Sequence, residues 1–305
     1  MGKAKYIWMD GHLVEWDQAT VHVHTHALHY GSSVFEGIRA YGSPNGPKIL
    51  FLDEHLHRLY SSAKMYRMDI PFTMQQFSDA VKQTVRENGH EECYIRPLVF
   101  RGDEALGVNP RTCSVHSAIM TWVWGAYLGP EALEIGIDAG VSSWRRTVPG
   151  VGMAMGKIGG QYVNSQLMVM EAHDHGYQES IALDVEGHVS EGSGENIFVV
   201  HGGVIYTPPM ASSILLGITR AGVVRLAQSL GYEVREAIIP REMLYIADEV
   251  FFTGTAAEVT PIRSVDKVVV GTGKRGPITR HIQNAFFDIV NSRITDQWGW
   301  LTPVN

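Results

Sequence analysis

The chain has 305 residues, 45% of them hydrophobic and 19% charged, with 25 Lys and Arg against 32 Asp and Glu for a net charge of −7. That size and apolar content support one large or two ordinary domains with full cores, and they argue against disorder. The acidic balance and the lack of any basic run argue against a nucleic-acid binder, which needs clustered cations for phosphates. The two cysteines, Cys93 and Cys113, make neither a disulfide framework nor a CxxC site, which points to a reducing compartment. The opening "MGKAKYIWMDG" lacks the apolar core of a signal peptide, and Tyr6 breaks the myristoylation pattern. The charge-free span 112–130 is interrupted by His116, Gly125 and Gly129 and makes a poor membrane helix. A soluble, cytoplasmic protein is expected.

In chain order, "YIWMDGHLVEW" alternates around Asp10-Gly11, a hairpin signal. In "HVHTHALHY", His22, His24 and His26 share one face if the segment is a strand, as a metal cluster would need. Acidic and cysteine ligands are missing nearby, so no metal site is assigned. "DEHLHRLYSSAKMY" spaces Leu56, Leu59, Ala63 and Tyr66 as a helix, with Asp69-Ile70-Pro71 as its stop. "TMQQFSDAVKQTVRENG" opens on a Thr73/Gln76 capping box and closes at Gly89. "CYIRPLVF" and "SVHSAIMTWVW" read as strands, and "GAYLGPEAL", without periodicity, as an interdomain connection. From Leu133 the pattern restarts: "EIGIDAGV" alternates, "YVNSQLMVMEAHDHG" is a helix, and "SIALDVEGHV" and "NIFVVHGGVIYTPP" are hairpins with glycine turns. "ITRAGVVRLAQSLG" is a further helix, and "EVFFTGTAAEV" is a strand running into a Gly-Thr turn. Helices mixed with hairpins, without regular βαβ alternation, define an α+β fold rather than a Rossmann sheet.

The chemical signal sits in "MAMGKIGGQY". Lys157 is the only Lys, Arg, Asp or Glu between Thr147 and Met170. A P-loop fails on spacing, because Gly152 lies one residue too close to Gly156 and Gly150 one too far. Ile158 also replaces the hydroxyl that holds magnesium. A second reading makes Lys157 a Schiff-base nucleophile, since desolvation disfavours an ammonium and the free amine attacks an aldehyde. Pyridoxal phosphate also needs a carboxylate for its ring nitrogen, a donor for its phenolate, and backbone N–H groups for its phosphate. Glu191 in "EGSGENIF", Tyr162, the helix start "GITR" (Gly217, Ile218, Thr219) and the turn "TGTA" supply candidates. The bland alternative is a snorkelling lysine, a solvated glutamate and ordinary caps. "FEGIRAY" places Glu36 and Arg39 three apart, which fits a structural ion pair.

Taken in order and spacing, "HALHYGSSVFEGIRAY", "YIRPLVFRGDEALGVNP", "WGAYLG", "GKIGGQY", "LDVEGHVSEGSGENIF", "GITR" and "FFTGTAAEVTPIRSVD" resemble the motifs of the branched-chain amino-acid aminotransferases. These belong to the fold-type IV class of pyridoxal-phosphate enzymes, and the matches run from Tyr6 to the closing "WGWL". The resemblance implies a small N-terminal α/β domain (1–123), an interdomain loop (124–133) and a larger C-terminal domain (134–305) built around barrel-like sheets, with the cofactor between the domains. It implies Lys157 as the Schiff-base lysine, Glu191 as partner of the ring nitrogen and Tyr162 at the phenolic oxygen. Arg58, with Gly217, Ile218, Thr219 and Thr255, resembles the phosphate cup. Tyr94, Arg96, Thr255 and Ala256 resemble the groups around the substrate carboxylate. Tyr30, Phe35, Val108, Trp124 and Tyr127 resemble the side-chain pocket, some contributed across a homodimer or higher oligomer of dimers. Arg96 is also the candidate donor for the γ-carboxylate of glutamate, which occupies the pocket in the 2-oxoglutarate half-reaction. The segment before the lysine departs from the family's pattern at Met153, Met155 and Gly156, and Gln161 stands where Asn is usual. Rival members of the fold class are D-amino-acid and (R)-amine aminotransferases and aminodeoxychorismate lyase. A catalytically silent pyridoxal-phosphate carrier is a rival of another kind.

Overall fold

The computed structural model describes residues 3–125, 128–129 and 131–305. The chain divides into two compact units. Unit 1 is Met1–Trp124, Gly156–Gln161 and Ile289–Asn305, and unit 2 is Gly125–Met155 and Tyr162–Asp288. The expected boundary at 124–133 follows the chain, whereas the units follow packing and take 156–161 and 289–305 into unit 1. Tyr127, like Ala126 and Pro130 of the expected interdomain loop, lies outside the described residues.

In unit 1, β1 (Tyr6–Met9) and β2 (His12–Glu15) form the expected hairpin, with Asp10 at φ 47° and Gly11 at φ 97° giving the turn its left-handed pair. The histidine segment is not a strand. Thr25 Oγ1 donates to the His22 carbonyl, and the chain enters a short helix, α1 (His26–Tyr30), closed by Gly31 at φ 65°. The alternation there does not persist, since Val21 and Val23 are 45% and 76% exposed and the chain turns at His22–Thr25 before Thr25 and His26 go inside. After β3 (Ser33–Phe35), β4 (Ile38–Tyr41) and β5 (Lys48–Leu50) come the expected helices α2 (Leu52–Met65) and α3 (Met74–Glu87). α2 stops before Asp69-Ile70-Pro71. Arg67 at φ 54° closes it, with Met68 N–H donating to Ala63 and Arg67 N–H to Lys64, a Schellman arrangement. α3 opens on the Thr73/Gln76 capping box. Strands β6 (Cys93–Arg101) and β7 (Val115–Trp122) complete the chain's first pass.

Among the described residues these strands and the C-terminal strand Leu301–Pro303 form one eight-stranded sheet. Its order is C-terminal strand–β5–β4–β6–β7–β1–β2, with β3 also paired to β6. Leu56 and Leu59 of α2 and Phe77, Val81 and Val85 of α3 bury their apolar stripes on Ile38, Ile95 and Ile119 of the sheet. Truncating one of these to alanine costs about 2–5 kcal/mol.

In unit 2, α4 (Ala132–Ile135) precedes β8 (Ile137–Arg145), so "EIGIDAGV" starts as the end of a helix and turns extended only after Gly136 at φ 88°. Then follow α5 (Tyr162–Asp174), β9 (Glu179–Leu183), β10 (Val189–Gly192), β11 (Asn196–His201) and β12 (Val204–Thr207). After them come α6 (Ile218–Ser229), β13 (Val234–Glu236), α7 (Met243–Ile246), β14 (Glu249–Gly254), β15 (Glu258–Val265), β16 (Val268–Val269) and α8 (Pro277–Val290). The expected hairpins are β9/β10 and β11/β12. The nine-stranded sheet runs β10–β9–β8–β15–β14–β11–β12–β13, with β16 on β15, and β8 pairs in parallel with both β9 and β15. Its interior strands are buried along nearly their whole length, around Ile181, Val199, Val250, Phe252 and Ile262. No helix of the described residues is long and apolar enough to cross a membrane.

Candidate active site

Unit 1 gathers its polar groups on one face of α2. His55, Arg58 and Ser62 stand at i, i+3 and i+7, a single helical stripe. Arg58 grips the Glu36 carboxylate with two donors, Nε at 2.7 Å and Nη2 at 2.8 Å, and His55 Nδ1 donates to the same carboxylate at 2.7 Å. Glu36 is fully buried. Burial alone would raise its pKa, but the charges and hydrogen bonds of Arg58, then His55, hold the carboxyl well below the usual range. Burial first, helped by the Arg58 and Lys157 charges, pushes the His55 pKa down despite Glu36. A neutral ring with Nδ1 protonated matches the contact with Glu36. The sequence paired Glu36 with Arg39. The structure takes Glu36 to α2, while Arg39 Nη2 donates to Glu92 at 3.2 Å and to the Trp124 carbonyl at 3.1 Å. Residues three apart in this extended segment point away from each other, which rules out the expected pair.

Ser62 receives the Lys157 backbone N–H at 3.0 Å, and the Lys157 carbonyl accepts from Phe35 N–H at 3.1 Å. The lysine is thereby pinned between α2 and β3, with Ile158 bridged to Val34. The glycines around it are demanded by contact. A Cβ on Gly31 would lie 2.6 Å from the Gly160 Cα, and one on Gly159 would overlap the Ser33 hydroxyl. Lys157 Nζ lies 4.8 Å from the Phe35 ring centroid, and Arg96 lies 4.7 Å from the same centroid. Arg96 also faces Tyr94 at 5.4 Å and Trp122 at 5.6 Å, and its Nε is buried without a partner among the described residues. It stands on β6, between β4 and β7, so it orders no sheet edge. Tyr94 meets Trp124 edge-on at 4.9 Å. Tyr30 and Val108 are 44% and 80% exposed, and the Tyr30 hydroxyl donates to the carbonyl of Leu106.

Unit 2 is organised around Glu191 at the end of β10, 3% exposed. Its carboxylate accepts from Arg146 Nη2 at 2.5 Å, Asn196 Nδ2 at 3.2 Å and the Leu215 N–H at 3.0 Å. Arg146 also reaches Ser165, one turn into the helix that Tyr162 opens. Asn196 leads to the two backbone candidates. Its Oδ1 occupies the place where Gly217 would carry a Cβ, and on β11 it pairs with Thr253 of β14. Gly217 is the N-cap of α6 and no side chain caps that helix, so Ile218 and Thr219 stand in an uncapped first turn. Thr255 and Ala256 lie in the turn after β14, and the neighbouring Thr253 hydroxyl is buried without a partner among the described residues. Sequence reasoning missed Arg146, Asn196, His55 and Ser62, and in each case the partner is distant along the chain or marked only by contact.

A buried carboxylate fed by an arginine, a lysine isolated among glycines and an uncapped helix start are each a group that an anionic aldehyde cofactor requires. The comparisons agree on the class. The model of the family described as amino-transferase class IV matches residues 33–265. The branched-chain-amino-acid aminotransferase of Escherichia coli strain K12 is 53% identical over 304 residues, covering 99% of this chain and 98% of that protein. The crystal structure of the Escherichia coli branched-chain amino acid aminotransferase superposes with a TM-score of 0.98 at 53% identity, over 99% of this chain and 100% of that one. The branched-chain amino acid aminotransferase of T.th., complexed with N-(5'-phosphopyridoxyl)-L-glutamate, superposes at 0.96 with 47% identity, covering 100% of both chains. The chain belongs to the class IV aminotransferases and has their fold-type IV architecture.

Proposed function

We propose that the chain is a pyridoxal-5'-phosphate-dependent aminotransferase that moves the amino group of leucine, isoleucine or valine to 2-oxoglutarate, giving the branched-chain 2-oxo acid and L-glutamate. The observation that carries this reading is the placement of Lys157, fixed by Ser62 on the same α2 face that bears Arg58 and set 4.8 Å from the Phe35 ring. The identity with enzymes of that name, and the phosphopyridoxyl-glutamate bound by one of them, support the substrate class.

The residues fit the cofactor by their chemistry. The phosphate calls for a fixed cation and N–H donors, which Arg58 and the uncapped start of α6 (Gly217, Ile218, Thr219) provide, with Thr255 as a hydroxyl donor. The ring nitrogen calls for a buried anion, which Glu191 provides, and the phenolic oxygen for a donor, which Tyr162 provides. When bound, pyridoxal phosphate supplies an aldehyde carbon open to amines and an electron-withdrawing ring that accepts the electron pair left on the substrate Cα. Lys157 Nζ would hold the cofactor through its aldehyde carbon and, as a free amine, would carry the proton at the substrate Cα. Glu191 would hold the proton on the ring nitrogen, and Arg146 fixes the Glu191 carboxylate in place for that task. Tyr94 and the turn at Thr255–Ala256 orient the substrate α-carboxylate. Phe35 and Trp124, with Tyr30, Tyr127 and Val108, line the side-chain pocket. Arg96 meets the γ-carboxylate of glutamate, because a carboxylate enters an aromatic surround only against a charge-assisted donor.

The outward apolar surface of Tyr30 and Val108 supports a homodimer or a larger assembly of dimers, and we place the enzyme in the cytoplasm. A panel of amino donors with 2-oxoglutarate, followed through 2-oxo acid formation, tests the reading. Leucine, isoleucine and valine are expected to lead. Preference for D-amino acids or primary amines would assign the chain to another member of the fold class.

A further inference from the structure

The histidine-rich segment has a role that metal binding does not explain. Between β6 and β7 the chain runs through residues 102–114 without regular structure. A loop of that length is either functional or disordered unless its backbone groups find partners. Here the carbonyls are met one after another. His26 N–H donates to Gly102 at 2.8 Å, His24 Nδ1 to Asp103 at 2.6 Å, and the Tyr30 hydroxyl to Leu106 at 2.8 Å. His26 Nε2 donates to Gly107 at 3.0 Å and Arg101 Nη1 to Pro110 at 3.0 Å. His26 is 1% exposed, and its Nδ1 accepts from the Ser32 hydroxyl at 2.7 Å, which fixes the ring with Nε2 protonated. Val108 follows Gly107 directly and is 80% exposed. An apolar side chain is thus carried outward on a loop whose ordering entropy is offset by a row of donors, two of them (His26 and Arg101) buried.

We propose that His26 and His24 are positioning residues that strap the 102–114 loop, present Val108 in one place and so set the enzyme's discrimination by side-chain length. The inference rests on the assignment of Val108 to the substrate pocket. Two readouts test it on the holoenzyme, namely tryptic cleavage after Arg111 under native conditions and KM for leucine against KM for 2-aminobutyrate, whose side chain is shorter. His26→Leu is expected to speed the cleavage and raise the leucine KM by about tenfold, the worth of one buried hydrogen bond. The 2-aminobutyrate KM should stay within about twofold, since a short side chain gains little from this part of the pocket. His26→Gln, whose amide can still donate to Gly107, should restore most of both. His24→Leu removes a more exposed bond and should act in the same direction with a smaller amplitude, which keeps the test open if His26→Leu fails to fold. Unchanged cleavage in both leucine variants would overturn the strap. An equal rise in KM for both donors would overturn the link to specificity. A wild type that takes no amino group from leucine would remove the aminotransferase reading and the specificity claim with it, while the cleavage rates would still judge the strap.

Discussion

Each unit of the molecule buries a carboxylate against an arginine, and the proposed function uses the two pairs in opposite ways. Under the proposed function the arginine is the working group in unit 1. Glu36, fully buried, and His55 exist to hold Arg58, whose charge is assigned to the cofactor phosphate. In unit 2 the proposed working group is the carboxylate: Arg146, Asn196 and the Leu215 N–H hold Glu191, which the proposal assigns to the ring nitrogen. A buried ion pair is weak evidence for stability in itself, because desolvation cancels most of its Coulombic gain. Removing one partner is a different matter, since it strands a charge. The contrast teaches that the same pairing can serve to place a cation or to place an anion, and that only the surrounding donors tell which.

The comparison breaks most completely at the lysine. Lys157→Ala is expected to abolish steady transamination, because it removes both the nucleophile and the proton carrier, each worth roughly 10²–10⁴-fold. Glu191→Gln, whose single amide oxygen can accept from only one side of this donor set, should retain cofactor yet lose about 10²–10⁴-fold in turnover, as expected for one positioned charge. Near-normal turnover by that variant would move the ring partner elsewhere, with Glu195 the next carboxylate in the segment. The matching change in unit 1, Glu36→Gln, should instead lower stability by about 3–5 kcal/mol, because it leaves the Arg58 charge buried without its counter-ion. Thermal melts of the two glutamine variants side by side would show whether the roles divide this way. Arg96→Leu should slow the glutamate/2-oxoglutarate half-reaction by about 10–100-fold, the value of a charge-assisted hydrogen bond, and the leucine half-reaction far less. Single-turnover rates followed through the cofactor's absorbance would measure both, and equal losses would assign Arg96 to the shared α-carboxylate or to the fold.

The smallest effect lies in the pH dependence of stability. The His55 pKa is lowered in the folded protein from its ordinary 6.5, so below that pH the unfolded chain binds the extra proton and stability falls. Glu36 is also lowered, so its contribution is fully present above the ordinary carboxyl pKa of 4.5 and is lost as the pH drops further, towards the folded value. Stability should therefore decline in two stages on acidification, with His55 adding at most about 1.4 kcal/mol per pH unit to the first. His55→Gln should flatten that first stage, and chemical denaturation between pH 7 and pH 5 would show whether it does.

Much of the architecture was legible because it is local. The Asp10-Gly11 turn, the Thr73/Gln76 capping box and the glycine-turned hairpins each carry their signal within a few residues. Lys157 was legible because a lone charge among glycines is anomalous, although the reason for those glycines, the close approach of residues 159–160 to Gly31 and Ser33, appears only in three dimensions. The histidine segment misled because alternation over so few residues cannot tell a strand from a turn that leads into a short helix. Helix α8 went unread although Ile282, Phe286 and Ile289 recur at helical spacing and are buried. Arg146 and Asn196 had no sequence signal of their own, since what marks them is contact with Glu191, 45 and 5 residues away.

The central claim is that Lys157 carries the cofactor. Reduction of the resting holoenzyme with borohydride, followed by mass mapping of its tryptic peptides, tests it most directly. A phosphopyridoxyl group on the peptide containing Lys157, and none in Lys157→Ala treated alike, is the expected result. Label on another lysine, such as Lys64 or Lys82, would contradict it.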